Sequence, residues 1–175
     1  MAATYTLISS NVLSSAAASV TFSSIPATYT DLVVRITARS DRAANSSNLG
    51  IRLNAATTNY SDTNLIKTQS GTAVSNRQIV GDLTYQYLGV VPAASATSST
   101  FGSAEFYLPS YTVSQNKPAS TFSVFENNNT NVSEINAIAN LYSSTSAITS
   151  IEIRESTSGN FVAGSSFYLY GIKNA

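Results

Sequence analysis

Apolar side chains recur at every second position along most of this chain, which is the period of a β-strand. In the stretch DLVVRITARS, Leu32, Val34 and Ile36 fall on one face. Arg35 and Arg39 fall on the other face of the same strand. No segment shows the 3.6-residue period of an amphipathic helix of ordinary length. The pattern therefore restricts the chain to an all-β fold in which most strands have one buried face.

The same alternation selects the residues that should form the hydrophobic core. It is clearest in LGIRLN, STFSVFEN, SIEIRES and SFYLYGI, in addition to the stretch above. The inward-facing apolar positions of these segments give the predicted core residues: Leu32, Val34, Ile36, Ile51, Leu53, Phe122, Val124, Ile151, Ile153, Phe167 and Leu169.

The most aromatic strand of the sequence lies within the last fifteen residues, FVAGSSFYLYGIKNA. Chain termini usually fray unless they are tied into the fold. A terminal strand this rich in Phe and Tyr is stable only between two neighbours. Both of its faces are apolar or aromatic, so we predict an interior strand that is covered on both sides.

Further strands are expected near residues 3–8, 17–23, 76–89, 101–108 and 134–142. The last of these, EINAIANLY, also fits a short helix, and we prefer a strand. About eight to ten short strands separated by turn residues indicate a β-sandwich or barrel. With 175 residues, one domain spanning 1–175 is expected. We predict a single antiparallel β-sandwich with jelly-roll topology, since one such domain fits this length and strand count.

Charged residues make up only 10% of the chain, against about 25% in ordinary globular proteins. Nine basic and nine acidic residues cancel, which leaves no electrostatic footprint for nucleic acid or an anionic membrane. The opening MAATYTLISS lacks the basic and apolar regions of a secretion signal, and no apolar run has transmembrane length. We therefore expect synthesis in a cytoplasm and residence in an assembly.

The sequence contains no histidine and no cysteine, so the usual catalytic triad, thiol catalysis and the commonest metal ligands are excluded. A glycosidase needs only two carboxylates. However, Glu105, Glu126 and Glu152 are scattered and look like solvated surface acids. We expect no enzymatic activity, no cofactor and no metal site.

Two sets of residues are candidates for an assembly surface. Arg35 and Arg39 share a strand face, and Arg52 joins them if the strands pair suitably. A solvated outer sheet face is the simpler interpretation of these arginines, and it is slightly favoured. Tyr85 and Tyr87 are predicted to form an exposed pair on one face, suited to a protein interface or to stacking on a glycan. Ordinary strand tyrosines are the simpler interpretation of this pair.

Three stretches together resemble a known group: FSSIPATYTDLVVRITARSD (22–41), LGIRLNAATTNYS (49–61) and the terminal FVAGSSFYLYGIKNA. They are similar to small virion structural proteins of tailed bacteriophages, particularly cyanophages and other aquatic phages. The most specific parts are the IP-x-x-Y-T-D-L opening and the AGS-x-F-x-LYGI ending. The resemblance implies a β-sandwich building block of a virion. It carries no catalytic motif and does not separate capsid from tail.

The first functional hypothesis is a capsid decoration or cement protein that binds the major capsid protein. It would act as a homotrimer, be made in the host cytoplasm and be released in virions by lysis. The alternative is a tail fibre, tail-tip or receptor-binding module that meets host glycan. A polysaccharide depolymerase is the third and least favoured hypothesis, because the acids are scattered and the chain is short.

Overall fold

The computed structural model describes residues 5–68, 71, 73–78, 84–127 and 133–173. Within these ranges the chain is all β, with no helix that could cross a membrane. The strands are β1 (Tyr5–Val12), β2 (Ser19–Phe22), β3 (Asp31–Ala38), β4 (Ser46–Leu53), β5 (Tyr60–Thr68), β6 (Val74–Gln78), β7 (Gln86–Pro92), β8 (Gly102–Leu108), β9 (Lys117–Phe125), β10 (Glu134–Tyr142), β11 (Ile151–Glu155) and β12 (Ser166–Ile172).

The strands form two antiparallel sheets that pack as a sandwich. The large sheet has the order β1-β12-β3-β8-β9-β10-β5-β6, and the small sheet has the order β2-β11-β4-β7. Strands β1, β12, β3 and β8 face β2, β11, β4 and β7 in the arrangement of an eight-stranded jelly roll. The hairpins β5–β6 and β9–β10 are insertions into this jelly roll. Both insertions join the large sheet, so that sheet extends well past the edge of the small one.

The core lies between the two sheets, where the alternating strands meet. Its predicted members on four strands are at most 2% exposed: Leu32, Val34, Ile36, Ile51, Leu53, Ile151, Ile153, Phe167 and Leu169. Phe106 and Leu108 of β8 complete the large-sheet side of the core. The rings of Phe161 and Phe167 pack with their centroids 5.0 Å apart. Full burial of each large apolar side chain stabilises the fold by about 1.5–3 kcal/mol.

The prediction that Phe122 and Val124 belong to the core is wrong. Phe122 is 55% exposed, and Val124 lies half-buried on the same outer face of β9. The residues that point inward are Thr121, Ser123 and Phe125. The reason is the close approach of β7, since a Cβ added at Gly89 would lie only 1.9 Å from Ser123 Oγ. A small side chain is therefore required at position 123 on the inner face of β9, and Phe122 and Val124 lie on the outer face.

Strand β12 occupies an interior position, hydrogen-bonded to β1 on one side and β3 on the other. Phe167 and Leu169 fill the core beneath it. Tyr168 and Tyr170, on the other face, are only half-buried. The terminal strand is therefore inserted as predicted, but the expectation that both of its faces are covered is wrong. The tyrosines contribute to an open aromatic surface instead of a second core.

The expected strand at 76–89 is two strands in different sheets, β6 and β7. Residues 79–83 lie outside the described part of the chain, as do residues 3 and 4 of the expected first strand. EINAIANLY is the strand β10, as preferred from the sequence. A continuous pattern of strand-forming residues cannot show where a chain leaves one sheet and enters the other.

The position of β12 gives a first prediction. Deleting residues 166–175 removes an interior strand and opens the sheet between β1 and β3, so we expect no folded protein. Deleting residues 1–7 is the control, because the described residues of this segment, 5–7, are the exposed end of the edge strand β1. It should leave a cooperative thermal transition measured by circular dichroism. A soluble, cooperatively folding protein without residues 166–175 would contradict this account of β12.

Candidate functional site

The predicted arginine surface does not form. Arg35 lies on the outer face of the large sheet, where its Nε donates to Glu105 Oε2 at 2.8 Å. Arg52 lies on the outer face of the small sheet, 3.6 Å from Glu152. Because the two outer faces are on opposite sides of the sandwich, these two arginines cannot contact one partner together.

The assignment of Arg39 to an assembly surface is also wrong. β3 ends one residue earlier, and Arg39 is only 9% exposed. Its Nη1 donates to the carbonyl oxygens of Thr97 and Thr100, at 2.8 and 3.0 Å, and Nη2 donates to Ala96 O at 3.1 Å. The guanidinium therefore fixes the loop between β7 and β8. Alternation gives no direction for a side chain that follows the last residue of its strand.

Tyr85 and Tyr87 line one cleft, but both are half-buried rather than exposed. Burial raises the pKa of Tyr87 above its ordinary value. A Cβ added at Gly50 would lie 2.6 Å from Tyr85 Cδ2, so the ring packs directly on the glycine backbone of β4. Arg52 Nε donates to Thr84 O at 2.8 Å and holds the segment that carries Tyr85. Arg52 therefore positions Tyr85.

The tyrosines border a cleft where the large sheet extends past β7. We call it the amide cleft; its volume is about 440 Å³. Its lining residues are Asn48, Asn64, Ile66, Asn76, Arg77, Tyr85 and Tyr87. Asn64 and Asn76 are cross-strand partners in the β5–β6 hairpin and therefore share a face. The spacing of Tyr85 and Tyr87 was visible in the sequence, whereas the asparagines come from three strands and carried no local signal.

Polar side chains also cover the inner face of β5 and β10 beneath β7. Asn140 Nδ2 donates to Tyr87 O at 3.1 Å, and Thr121 Oγ1 donates to Asn140 Oδ1 at 2.8 Å. β7 is the edge of the small sheet, so its outward main-chain groups have no strand partner there. Unpaired buried main-chain groups are costly, and these side chains satisfy part of that edge.

Two acids near this edge are held in buried surroundings. Burial raises the pKa of Asp62, and the N–H of Tyr87 and the Asn64 side chain only partly oppose it. Neither group reaches normal hydrogen-bond geometry with the carboxylate oxygens of Asp62. Burial likewise raises the pKa of Glu134, against a smaller opposing effect of Asn136. Both carboxyls are therefore poorly stabilised as anions.

Several buried polar atoms around β7 accept or donate no hydrogen bond to any residue that the structure describes, and of the residues that carry them Asn64 lines the amide cleft. They are Asn64 Oδ1, Asn136 Oδ1, Ser123 Oγ, and both amide atoms of Gln86. Most buried polar atoms in proteins are paired, so such a concentration points to a place that receives water or a ligand. Across the described ranges, His, Cys, Asp and Glu form no group of three that could hold a metal ion.

A second candidate surface is the outer face of the large sheet. Leu65, Ala137 and Phe122 lie in one row across β5, β10 and β9. Ile135 lies in the next row beside Val124. Leu65, Phe122 and Ile135 are each about half exposed. This face is covered by no other described element, so a contiguous apolar strip meets solvent.

Comparisons with known proteins add little to this geometry. No protein-family model matches the chain, and no curated protein matches it. Among solved structures, the crystal structure of galectin LEC-6 from Caenorhabditis elegans is similar, with 10% sequence identity and a TM-score of 0.36. The match covers 94% of this chain and 96% of the galectin chain. A similarity this low does not bear on the function of the chain.

The buried carboxyl of Asp62 gives a second prediction. Its pKa is raised in the folded state, so its contribution to stability is greatest below the unfolded pKa of about 3.9 and declines as pH rises through the folded value. Asp62→Asn should therefore raise the melting temperature at pH 7, by about 2–4 °C for each kcal/mol gained. It should also weaken the fall in stability between pH 4 and pH 7.

The matched control is Asp41→Asn, in which the pH dependence has the opposite sign. Hydrogen bonds from the backbone and side chain of Asn160 lower the pKa of Asp41, so its contribution is lost as pH falls. This variant should be less stable than the parent at pH 7 and approach it at low pH. An Asp62→Asn protein that is less stable than the parent at pH 7 would contradict the account.

Proposed function

We propose that this chain is a non-enzymatic virion structural protein that decorates and stabilises the outer surface of a phage capsid. One observation carries the proposal: the eight-stranded sheet has an apolar outer face that no element in the described part of the chain covers. The three stretches that resemble virion proteins of tailed phages supply the kind of assembly. A partner that covers the strip would remove apolar surface from water, and large exposed apolar patches mark interaction sites.

The apolar strip is suited to docking because few charges lie beside it. One of them is Lys67, the cross-strand partner of Ile135, whose Nζ donates to Thr68 O at 2.6 Å. Leu65, Phe122 and Ile135 lie on three adjacent strands and form the centre of the surface. Arg35 and Glu105, beside it, already neutralise each other. Burying each large apolar side chain contributes up to about 1.5–3 kcal/mol before the entropy cost of association. Repetition of such contacts over a capsid lattice would make binding strong through multivalency.

A second set of side chains extends the surface toward β1. The rings of Tyr5 and Tyr170 lie 6.3 Å apart, and those of Tyr168 and Tyr170 lie 6.4 Å apart. The Arg35 guanidinium lies 5.5 Å from the Tyr5 ring centroid. Tyrosine and arginine are enriched at protein interfaces. We propose that this aromatic end contacts neighbouring copies in a homotrimer, while the apolar strip contacts the major capsid protein.

A tail fibre, tail-tip or receptor-binding module is the second candidate function. The amide cleft favours it, since a polar, tyrosine-bordered cleft suits a host glycan better than a flat protein surface. The two candidates differ most in copy number, because a capsid carries many more decoration sites than a tail has tip positions.

Quantitative mass spectrometry of purified virions tests the proposed function. We expect this chain at an abundance of the same order as the major capsid protein. A small fraction of that abundance would contradict the capsid assignment and support the tail module. Absence from virions would contradict both.

Cosedimentation with capsids that lack this protein tests the docking surface in the same system. Phe122→Asp should weaken binding about tenfold or more, in the range of interface hot spots. Val113→Asp is the matched control, because Val113 is a similarly exposed apolar residue in the loop between β8 and β9. Equal loss in both variants, or loss in neither, would contradict docking through the apolar strip.

A further inference from the structure

We infer that the amide cleft is a binding site for a neutral saccharide. The inference does not depend on whether the chain belongs to a capsid or to a tail, because it rests on the lining of the cleft alone. The cleft exists because the β5–β6 hairpin extends the large sheet beyond β7 and leaves an inner face that the small sheet does not cover. Its volume of about 440 Å³ falls in the usual range for small-molecule sites, about 300–1,000 Å³.

Three asparagines give the cleft its hydrogen-bonding capacity. Asn64 and Asn76 face the same side of the β5–β6 hairpin, and Asn48 comes from β4 across the cleft. Asn64 is only 4% exposed, and its Oδ1 accepts no hydrogen bond from any described residue. An amide offers a donor and an acceptor side by side. Neighbouring hydroxyl groups of a sugar ring match this pair, because each hydroxyl both donates and accepts.

The tyrosines supply the apolar side of the site. Sugar rings present a face of C–H groups, which packs against an aromatic ring. The Tyr85 ring is held in place by Gly50 beneath it and by the Arg52–Thr84 hydrogen bond at its base. A side chain that is fixed before binding loses little conformational entropy when the ligand arrives. The cleft therefore combines preorganised aromatic surface with unused amide groups.

The charge of the lining excludes other classes of ligand. Among the residues that the structure describes, none that lines the amide cleft carries a carboxylate, so this lining lacks the acidic oxygens that usually hold a divalent cation. Arg77 is the one cation of the described lining, and Arg77 pairs with Thr63, whose side chain is on the outer face of β5. A phosphate-bearing ligand usually needs several cations or a helix N-terminus. A neutral polyhydroxyl compound is the class that fits amides and tyrosines without a countercharge.

The test is a two-dimensional NMR titration of the full chain with neutral disaccharides: lactose, maltose, cellobiose and mannobiose. We expect at least one of them to shift the side-chain amide signals of Asn48, Asn64 and Asn76. Binding should be weak, with a dissociation constant on the order of 1 mM, corresponding to about −4 kcal/mol. If no disaccharide shifts these signals at about ten times that concentration, the cleft holds only water and the inference is wrong.

Variants separate binding in the amide cleft from binding elsewhere. Tyr85→Ala and Asn76→Ala should each weaken binding of the same disaccharide about tenfold, or 1.4 kcal/mol. Gly50→Ala should do so as well, because the new Cβ displaces the Tyr85 ring without removing a lining group. Val113→Ala, in the exposed loop between β8 and β9, is the control and should leave affinity unchanged. The one-dimensional spectrum of each variant verifies its fold.

A final comparison, between a charged and a neutral disaccharide, tests whether the ligand is neutral. Digalacturonic acid resembles the neutral disaccharides but carries two carboxylates. Equal or weaker binding of the acid supports the inference. Tighter binding of the acid that is lost in Arg77→Gln would overturn the neutral assignment, as would shifts that persist unchanged in Tyr85→Ala.

Discussion

The main-chain edge of β7 is the constraint on which the rest of the architecture depends. β7 ends the small sheet, and in a simple eight-stranded sandwich its outward N–H and C=O groups would meet solvent or another chain. Here the inserted β9–β10 and β5–β6 hairpins place side chains against that edge, and Asn140 Nδ2 donates to Tyr87 O at 3.1 Å. For this reason the part of their inner face that meets β7 carries polar side chains such as Ser123, Asn136 and Asn140. These polar side chains leave several buried amide atoms without hydrogen bonds, and they include the buried carboxyl of Asp62. Apolar packing would have avoided both.

The side chains that face β7 determine both candidate surfaces. The inner positions of β9 and β10 that meet β7 include the small or polar side chains of Ser123, Asn136 and Asn140, although Phe125 and Ile138 are buried on the same face. Phe122 and Ile135 are therefore exposed as a consequence of the register that places Ser123 beneath Gly89. The apolar strip, which is suited to a protein partner, and the amide cleft, which is suited to a saccharide, lie on opposite faces of the extended large sheet. A single chain could hold both ligands without competition between them.

The sequence predicted most of the jelly roll and little of the β5–β6 and β9–β10 hairpins that extend the large sheet past β7. Strict alternation assigned the correct faces of β3, β4, β11 and β12, since apolar residues there occupy one face and pack into a core between well-covered sheets. Alternation assigned Phe122 to the wrong face, because the pattern separates the two faces of a strand without showing which one is buried. The close approach of β7 requires the small side chain of Ser123 on the buried face, so Phe122 lies on the exposed one. Arg39 was misassigned for a related reason: its direction is set by loop carbonyls 57 to 61 residues further along the chain. The amide cleft combines residues from β4 to β7, so only the strand order brings its asparagines together.

Amide hydrogen exchange, followed by NMR, tests the central claim most directly. The N–H of Tyr87 faces the buried Asp62 carboxyl, on the side of β7 that β5 and β10 cover, so it should be shielded from water and exchange slowly. The exposed strand β1 supplies the comparison, because it is an edge of the large sheet and its solvent-facing amides should exchange fast. In Asn140→Ala, the carbonyl of Tyr87 loses its side-chain donor, so the covered edge should loosen and protection of the neighbouring Tyr87 N–H should fall toward that of β1. Fast exchange of Tyr87 in the parent protein, equal to that of the β1 edge, would contradict a closed β7 edge.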